Sequence, residues 1–64
     1  LFLEFINNNT RTVTFYDLNG RLLNQKIIHD KSYIFGTKSF PSIYFIVIRE
    51  GDDYQTIKLF KWNT

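Results

Sequence analysis

The chain contains no cysteine, so no disulfide can staple it and no thiolate can ligate a metal or act as a nucleophile. It also lacks methionine and alanine. Without alanine, and with Ile, Val, Thr, Phe and Tyr abundant, little in it favours a helix. It has a single proline, Pro41, and a single histidine, His29. Its net charge is only +2, too little to indicate nucleic acid by itself. No apolar run approaches the roughly 20 residues needed to span a bilayer as a helix. The start is apolar, but it has neither the basic region nor the small-residue cleavage site of a signal peptide.

What is present is a rich supply of core residues. Of 64 residues, 44% are hydrophobic and 19% aromatic. A chain this short forms one domain over residues 1–64, and it buries only about 60% of its unfolded surface. With no staple, it needs either an unusually apolar core or a neighbour to lean on. Beginning directly at Leu1-Phe2-Leu3, it reads as a piece of a larger protein.

Alternation predicts short strands separated by polar turns. Leu1 to Ile6 reads as the first strand, and Asn7-Asn8-Asn9-Thr10 as a turn. Thr12 to Tyr16 alternates, with Val13 and Phe15 on one face and Thr12, Thr14 and Tyr16 on the other. Asn19-Gly20 predicts a hairpin in which both residues take positive φ. The returning strand runs from Arg21 to Ile28, with Leu23 and Ile27 on one face. Tyr33-Ile34-Phe35 reads as another strand before Gly36, and Pro41 belongs in a turn or on an edge.

The final hairpin allows a register. With Glu50-Gly51-Asp52-Asp53 as its turn, Arg49 faces Tyr54, Val47 faces Thr56, Phe45 faces Lys58 and Ile43 faces Phe60. On the opposite side Ile48 meets Gln55, Ile46 meets Ile57 and Tyr44 meets Leu59. Tyr44, Ile46 and Ile48 then point to the core. Ile43, Phe45, Val47, Tyr54, Phe60 and Trp62 form an outer face that is apolar for a solvent side and calls for a cover. The pattern as a whole predicts an all-β fold, a small antiparallel β-sandwich of about six or seven short strands.

Candidate chemistry is thin. His29 lies beside Asp30, with Ser32 and Ser39 near in sequence, but no nucleophile motif accompanies it, and it reads as a loop residue. Glu50, Asp52 and Asp53 offer oxygen ligands without EF-hand spacing and read as a solvated acidic turn. Arg49, Lys58 and Lys61 beside Phe45, Phe60 and Trp62 resemble a face for single-stranded nucleic acid. The favoured alternative is that lysines keep an edge strand from sticking to other edges. Asn8-Asn9-Thr10 matches the N-glycosylation pattern, a match common by chance. The residues assign no catalytic group, metal or cofactor, and the expectation is a protein that is not an enzyme.

Three segments carry a resemblance: Tyr16-Asp17-Leu18-Asn19-Gly20-Arg21 followed by Leu22-Leu23, then Phe40-Pro41-Ser42-Ile43-Tyr44-Phe45-Ile46-Val47-Ile48, then Gly51 with Thr56-Ile57-Lys58-Leu59-Phe60-Lys61. In type, order and spacing they resemble the C-terminal sorting domain (type A) of Bacteroidetes proteins exported by the type IX secretion system. The likeness covers nearly the whole chain. Two departures stand out: Ser42 runs straight into Ile43 where the family has a glycine, and the opening Pro-Asn-Pro segment is absent. The resemblance implies an immunoglobulin-like sandwich and a non-catalytic secretion signal. Such a domain follows a cargo in the same chain, and the outer-membrane machinery reads it after the periplasm. A sortase-like peptidase then removes it, leaving the cargo secreted or attached to the cell surface of a Gram-negative bacterium. Asp17, Gly20, Pro41, Tyr44, Ile46, Ile48 and Gly51 would carry the structural motif, and Arg21, Thr56, Lys58 and Lys61 the recognition. No nucleic acid and no transmembrane segment are expected. An alternative is an interaction or adhesion module of a secreted protein; a small nucleic-acid-binding barrel is a third reading.

Overall fold

The computed structural model describes residues 1–61, and among them it is all-β, with antiparallel strands in two sheets and no helix. The strands are β1 (Phe2–Glu4), β2 (Arg11–Tyr16), β3 (Leu22–Ile28), β4 (Ser32–Ile34), β5 (Ile43–Glu50) and β6 (Asp53–Phe60). The larger sheet has the order β3-β2-β5-β6, and β1 pairs with β4 in the smaller one. The two face each other as a small β-sandwich, and among the described residues no helix is long and apolar enough to cross a membrane.

Alternation explains which side chains meet between the sheets. Val13 and Phe15 of β2, Ile28 of β3, and Tyr44 and Ile46 of β5 are buried, together with Phe35 and Phe40. Leu1, Leu3, Phe5 and Tyr33 approach from the smaller sheet side, and Leu23, Ile48 and Leu59 from the larger. Phe15 is the hub. Its ring centroid lies 4.8 Å from that of Phe35, 5.1 Å from Phe40 and 6.1 Å from Tyr44, in tilted or edge arrangements that suit aromatic quadrupoles.

The register of the last hairpin runs from Ile43↔Phe60 to Glu50↔Asp53, as the sequence predicts. Gly51 takes φ 61° while Asp52 stays at negative φ, which defines a type II′ two-residue loop. The first hairpin differs from expectation. Only Gly20 adopts positive φ, at 82°; Asn19 does not. The loop is a type I turn over Asp17–Gly20, with Gly20 N–H donating to the Asp17 carbonyl at 3.1 Å, followed by a left-handed glycine. The longer loop shifts the pairing: Phe15 faces Asn24 but Tyr16 faces Leu22, leaving Leu23 in a β-bulge. The bulge overturns the expected shared face of Leu23 and Ile27. Leu23 packs on the core, whereas Ile27 is exposed on the opposite side.

Burial has one consequence for pH. Desolvation raises the Tyr44 phenol above its ordinary pKa of 10.0, and a side-chain hydrogen bond with Thr37 pulls the other way. The folded state therefore holds this proton more tightly than the unfolded chain. The contribution is intact below about pH 10 and is lost as pH rises through the folded pKa. Urea unfolding from pH 8 to 11 should show the wild type losing more stability than Tyr44→Phe; parallel losses would rule out Tyr44 as the cause.

Candidate functional site

The first two segments that carry the resemblance meet at one end of the sandwich, and the third reaches it through Lys61. Asp17 organises the first. Its Oδ1 accepts from Asn19 N–H at 2.9 Å and Arg21 N–H at 2.8 Å, and its own N–H donates to the Arg21 carbonyl at 2.9 Å. Asp17 and Gly20 thus build the loop, while the Arg21 side chain stands 81% exposed, its Nε 3.9 Å from Asp17 Oδ2. An ion pair so exposed contributes little. Asp17→Ala should lower stability by about 1 kcal/mol, a few degrees in Tm for a domain of this size, through the lost loop hydrogen bonds. Arg21→Ala should leave Tm nearly unchanged, and calorimetry of both variants checks the contrast.

The second segment turns at Thr37–Phe40, where Phe40 N–H donates to the Thr37 carbonyl at 3.0 Å. Pro41 is exposed just beyond this turn, so its missing N–H breaks no pairing within β5. Because Tyr16 faces Phe45, the chain before Ile43 lies beside the Asp17 loop. Between them runs an open groove of about 590 Å³, with Asp17, Leu18, Arg21 and Leu23 on one wall and Phe40, Pro41 and Ile43 on the other. Leu18 was not marked by the sequence reading. It is 57% exposed at the crest of a polar turn, where the fold gives an apolar residue no role. That mismatch was the available signal.

The third segment ties in through Lys61. Its Nζ donates to the carbonyls of Thr37 at 3.2 Å and Lys38 at 3.1 Å, and also to that of Phe40. Its backbone N–H extends the β5–β6 ladder by donating to the Ser42 carbonyl at 2.6 Å. Lys61 therefore holds the Pro41 turn against the end of β6. Thr56 and Lys58 lie elsewhere, exposed along β6, with Lys58 Nζ 5.6 Å from the Phe60 ring centroid. Tyr44 and Ile46 are core residues, Ile48 is half-buried against that core, and Gly51 makes the distal turn.

The outer face of the larger sheet is the other notable surface. The pairing puts Thr12, Thr14, Tyr16, Gln25, Ile27, Ile43, Phe45, Val47, Arg49, Tyr54, Thr56, Lys58 and Phe60 there. It carries cations and aromatic rings but no carboxylate, and no described residue forms a second layer over it. Trp62, which the sequence places on this face, lies outside the described residues. His29 is exposed, with Nδ1 3.0 Å from Thr10 Oγ1. Glu50 and Asp53 face each other across the turn. Among the described residues no group of His, Asp and Glu could hold a metal ion.

At the opposite end, Arg11 is buried at 5% exposure, a placement the sequence reading missed. Its guanidinium donates to the Asn7 carbonyl at 3.1 Å, the Asn9 carbonyl at 3.0 Å and Asn7 Oδ1 at 2.6 Å, and lies 4.1 Å from the Phe5 ring centroid. Glu50 Oε1 is 3.4 Å from Nη2, within ion-pair reach but with no hydrogen-bond partner. Arg11 is thus a clamp on the 7–9 loop.

Compared with protein-family models, with curated proteins and with solved structures, the chain matches none.

Proposed function

We propose that the chain is a non-catalytic C-terminal sorting domain, an address that directs a cargo preceding it through the type IX outer-membrane machinery to the cell surface or medium. One observation carries this reading. Two segments far apart in sequence, each resembling a sorting-domain motif, line a single groove at one end of the sandwich, and Lys61 of the third ties the Pro41 turn in place there. Their residues divide the work. Asp17, Gly20 and Lys61 build the end, while Leu18, Arg21 and Pro41 face outward and are available to be read. On this reading the machinery and a sortase-like peptidase are the partners, and the fold is the immunoglobulin-like sandwich of such domains.

A second reading has its own support. The uncovered, carboxylate-free outer face suits an interaction or adhesion module of a secreted protein. A fusion separates the two. The domain is placed after a fluorescent reporter bearing an ordinary signal peptide and expressed with and without a working type IX system. Reporter outside the cell only in the working strain supports the sorting reading. Reporter held in the periplasm of both overturns it and leaves the interaction module.

A further inference from the structure

Among the described residues, strand β6 ends the larger sheet with an unpaired edge. The Lys61 N–H bond to Ser42 sets the alternation: odd-numbered residues of β6 direct their backbone groups to β5, and Tyr54, Thr56, Lys58 and Phe60 direct theirs outward. Of the usual blunting devices, the outward-directed residues of this edge carry one charged side chain, Lys58. The edge has no proline, and its register with β5 is unbroken from Asp53 to Phe60. Tyr54 and Phe60, at its two ends, are each 69% exposed. The β3 edge is different, because the bulge at Leu23 twists it and Lys26 reaches across to the Tyr33 ring, 5.1 Å from its centroid.

We propose that two copies of this chain associate edge to edge through β6, antiparallel about a twofold axis at Ile57, giving one continuous sheet across the dimer. The self-complementarity of the edge selects a second copy as the occupant. In this register every outward-facing residue of β6 meets an outward-facing residue of the other copy, so the ladder uses the whole strand. Tyr54 falls opposite Phe60 of the second copy, an aromatic cross-strand pair, and this occurs at both ends. Lys58 falls opposite Thr56, so the ammonium groups avoid each other. A shift of the axis to Lys58 would set lysine against lysine, and a shift to Thr56 would leave Phe60 without a partner on the strand. The twofold closes the contact, as an isologous interface does. The proposal does not depend on the sorting reading, since its readout is association alone.

Sedimentation equilibrium of the full chain tests it. The expected result is a monomer–dimer equilibrium with a Kd on the order of 10–100 µM, fitting a small interface. Thr56→Pro removes only an outward N–H, so it should yield a monomer with the wild-type urea midpoint. Thr56→Glu should tighten the dimer about five-fold, because each glutamate meets Lys58 of the other copy, and Thr56→Lys should weaken it by a similar factor. A chain that stays monomeric up to about 1 mM overturns the proposal. So does a dimer that persists in folded Thr56→Pro, or one that Thr56→Glu weakens, since glutamates would then face each other.

Discussion

Phe15→Ala should leave the domain largely unfolded at room temperature. Phe15 is fully buried in the central strand pair, and its ring touches those of Phe35, Phe40 and Tyr44. Phe35 adjoins the smaller sheet, Phe40 the Pro41 turn, and Tyr44 lies on β5, so one ring joins both layers and the motif-bearing end. Truncation to alanine at such a site costs about 3–5 kcal/mol, because the cavity is only partly relaxed. At about 0.05–0.15 kcal/mol per residue, a chain this short has roughly 3–10 kcal/mol in total. Phe15→Leu, which keeps most of the volume, should fold with a loss of about 1–2 kcal/mol. Far-ultraviolet circular dichroism with urea titration reads both variants. An alanine variant with near-wild-type stability would mean that the two sheets do not depend on this ring.

The second large effect is expected at Arg11. Its guanidinium satisfies two carbonyls and a side-chain oxygen of the 7–9 loop while stacked against Phe5. Charge-assisted hydrogen bonds of this kind contribute about 1.5–3 kcal/mol, and losing one partner leaves the others to find water. Arg11→Met keeps the apolar stem and should cost about 2 kcal/mol; Arg11→Ala also loses packing against Phe5 and should cost about 3 kcal/mol. Glu50→Gln should cost less than about 1 kcal/mol, because the Glu50 side chain is 40% exposed and makes no hydrogen bond to Arg11. Equal losses for Arg11→Met and Glu50→Gln would show that the ion pair, and not the loop carbonyls, is what Arg11 holds.

The contrast between these residues shows where the sequence was legible. Alternation put Phe15 on one face with Val13, and the hairpin register put Tyr44 and Ile46 in the core. The last hairpin could be registered because Gly51 permits a two-residue turn, which fixes the pairing even though apolar residues fill both parities of β5. Arg11 could not be placed, because a charged residue opening a strand ordinarily faces solvent, and the acceptors that bury it lie in a loop with no periodicity. The bulge at Leu23 escaped for a related reason. Alternation reports parity, and one inserted residue reverses parity without leaving a mark in the composition. The pairing of β1 with β4 is long-range and carries no local signal. At the candidate site the motif residues were visible, and Asp17 was expected in a structural part, which its carboxylate plays in the loop. Lys61, expected in recognition, instead gives its ammonium to three backbone carbonyls, a contact between distant segments that leaves no local mark in the sequence.

Export of the reporter fusion carrying Leu18→Ser with Arg21→Glu most directly tests whether that end of the sandwich is the surface that is read. Both side chains are exposed and neither supports the loop, so the variant should keep the wild-type melting temperature. The account predicts that the folded variant accumulates in the periplasm of a strain that exports the unaltered fusion. Undiminished export of the variant would contradict it.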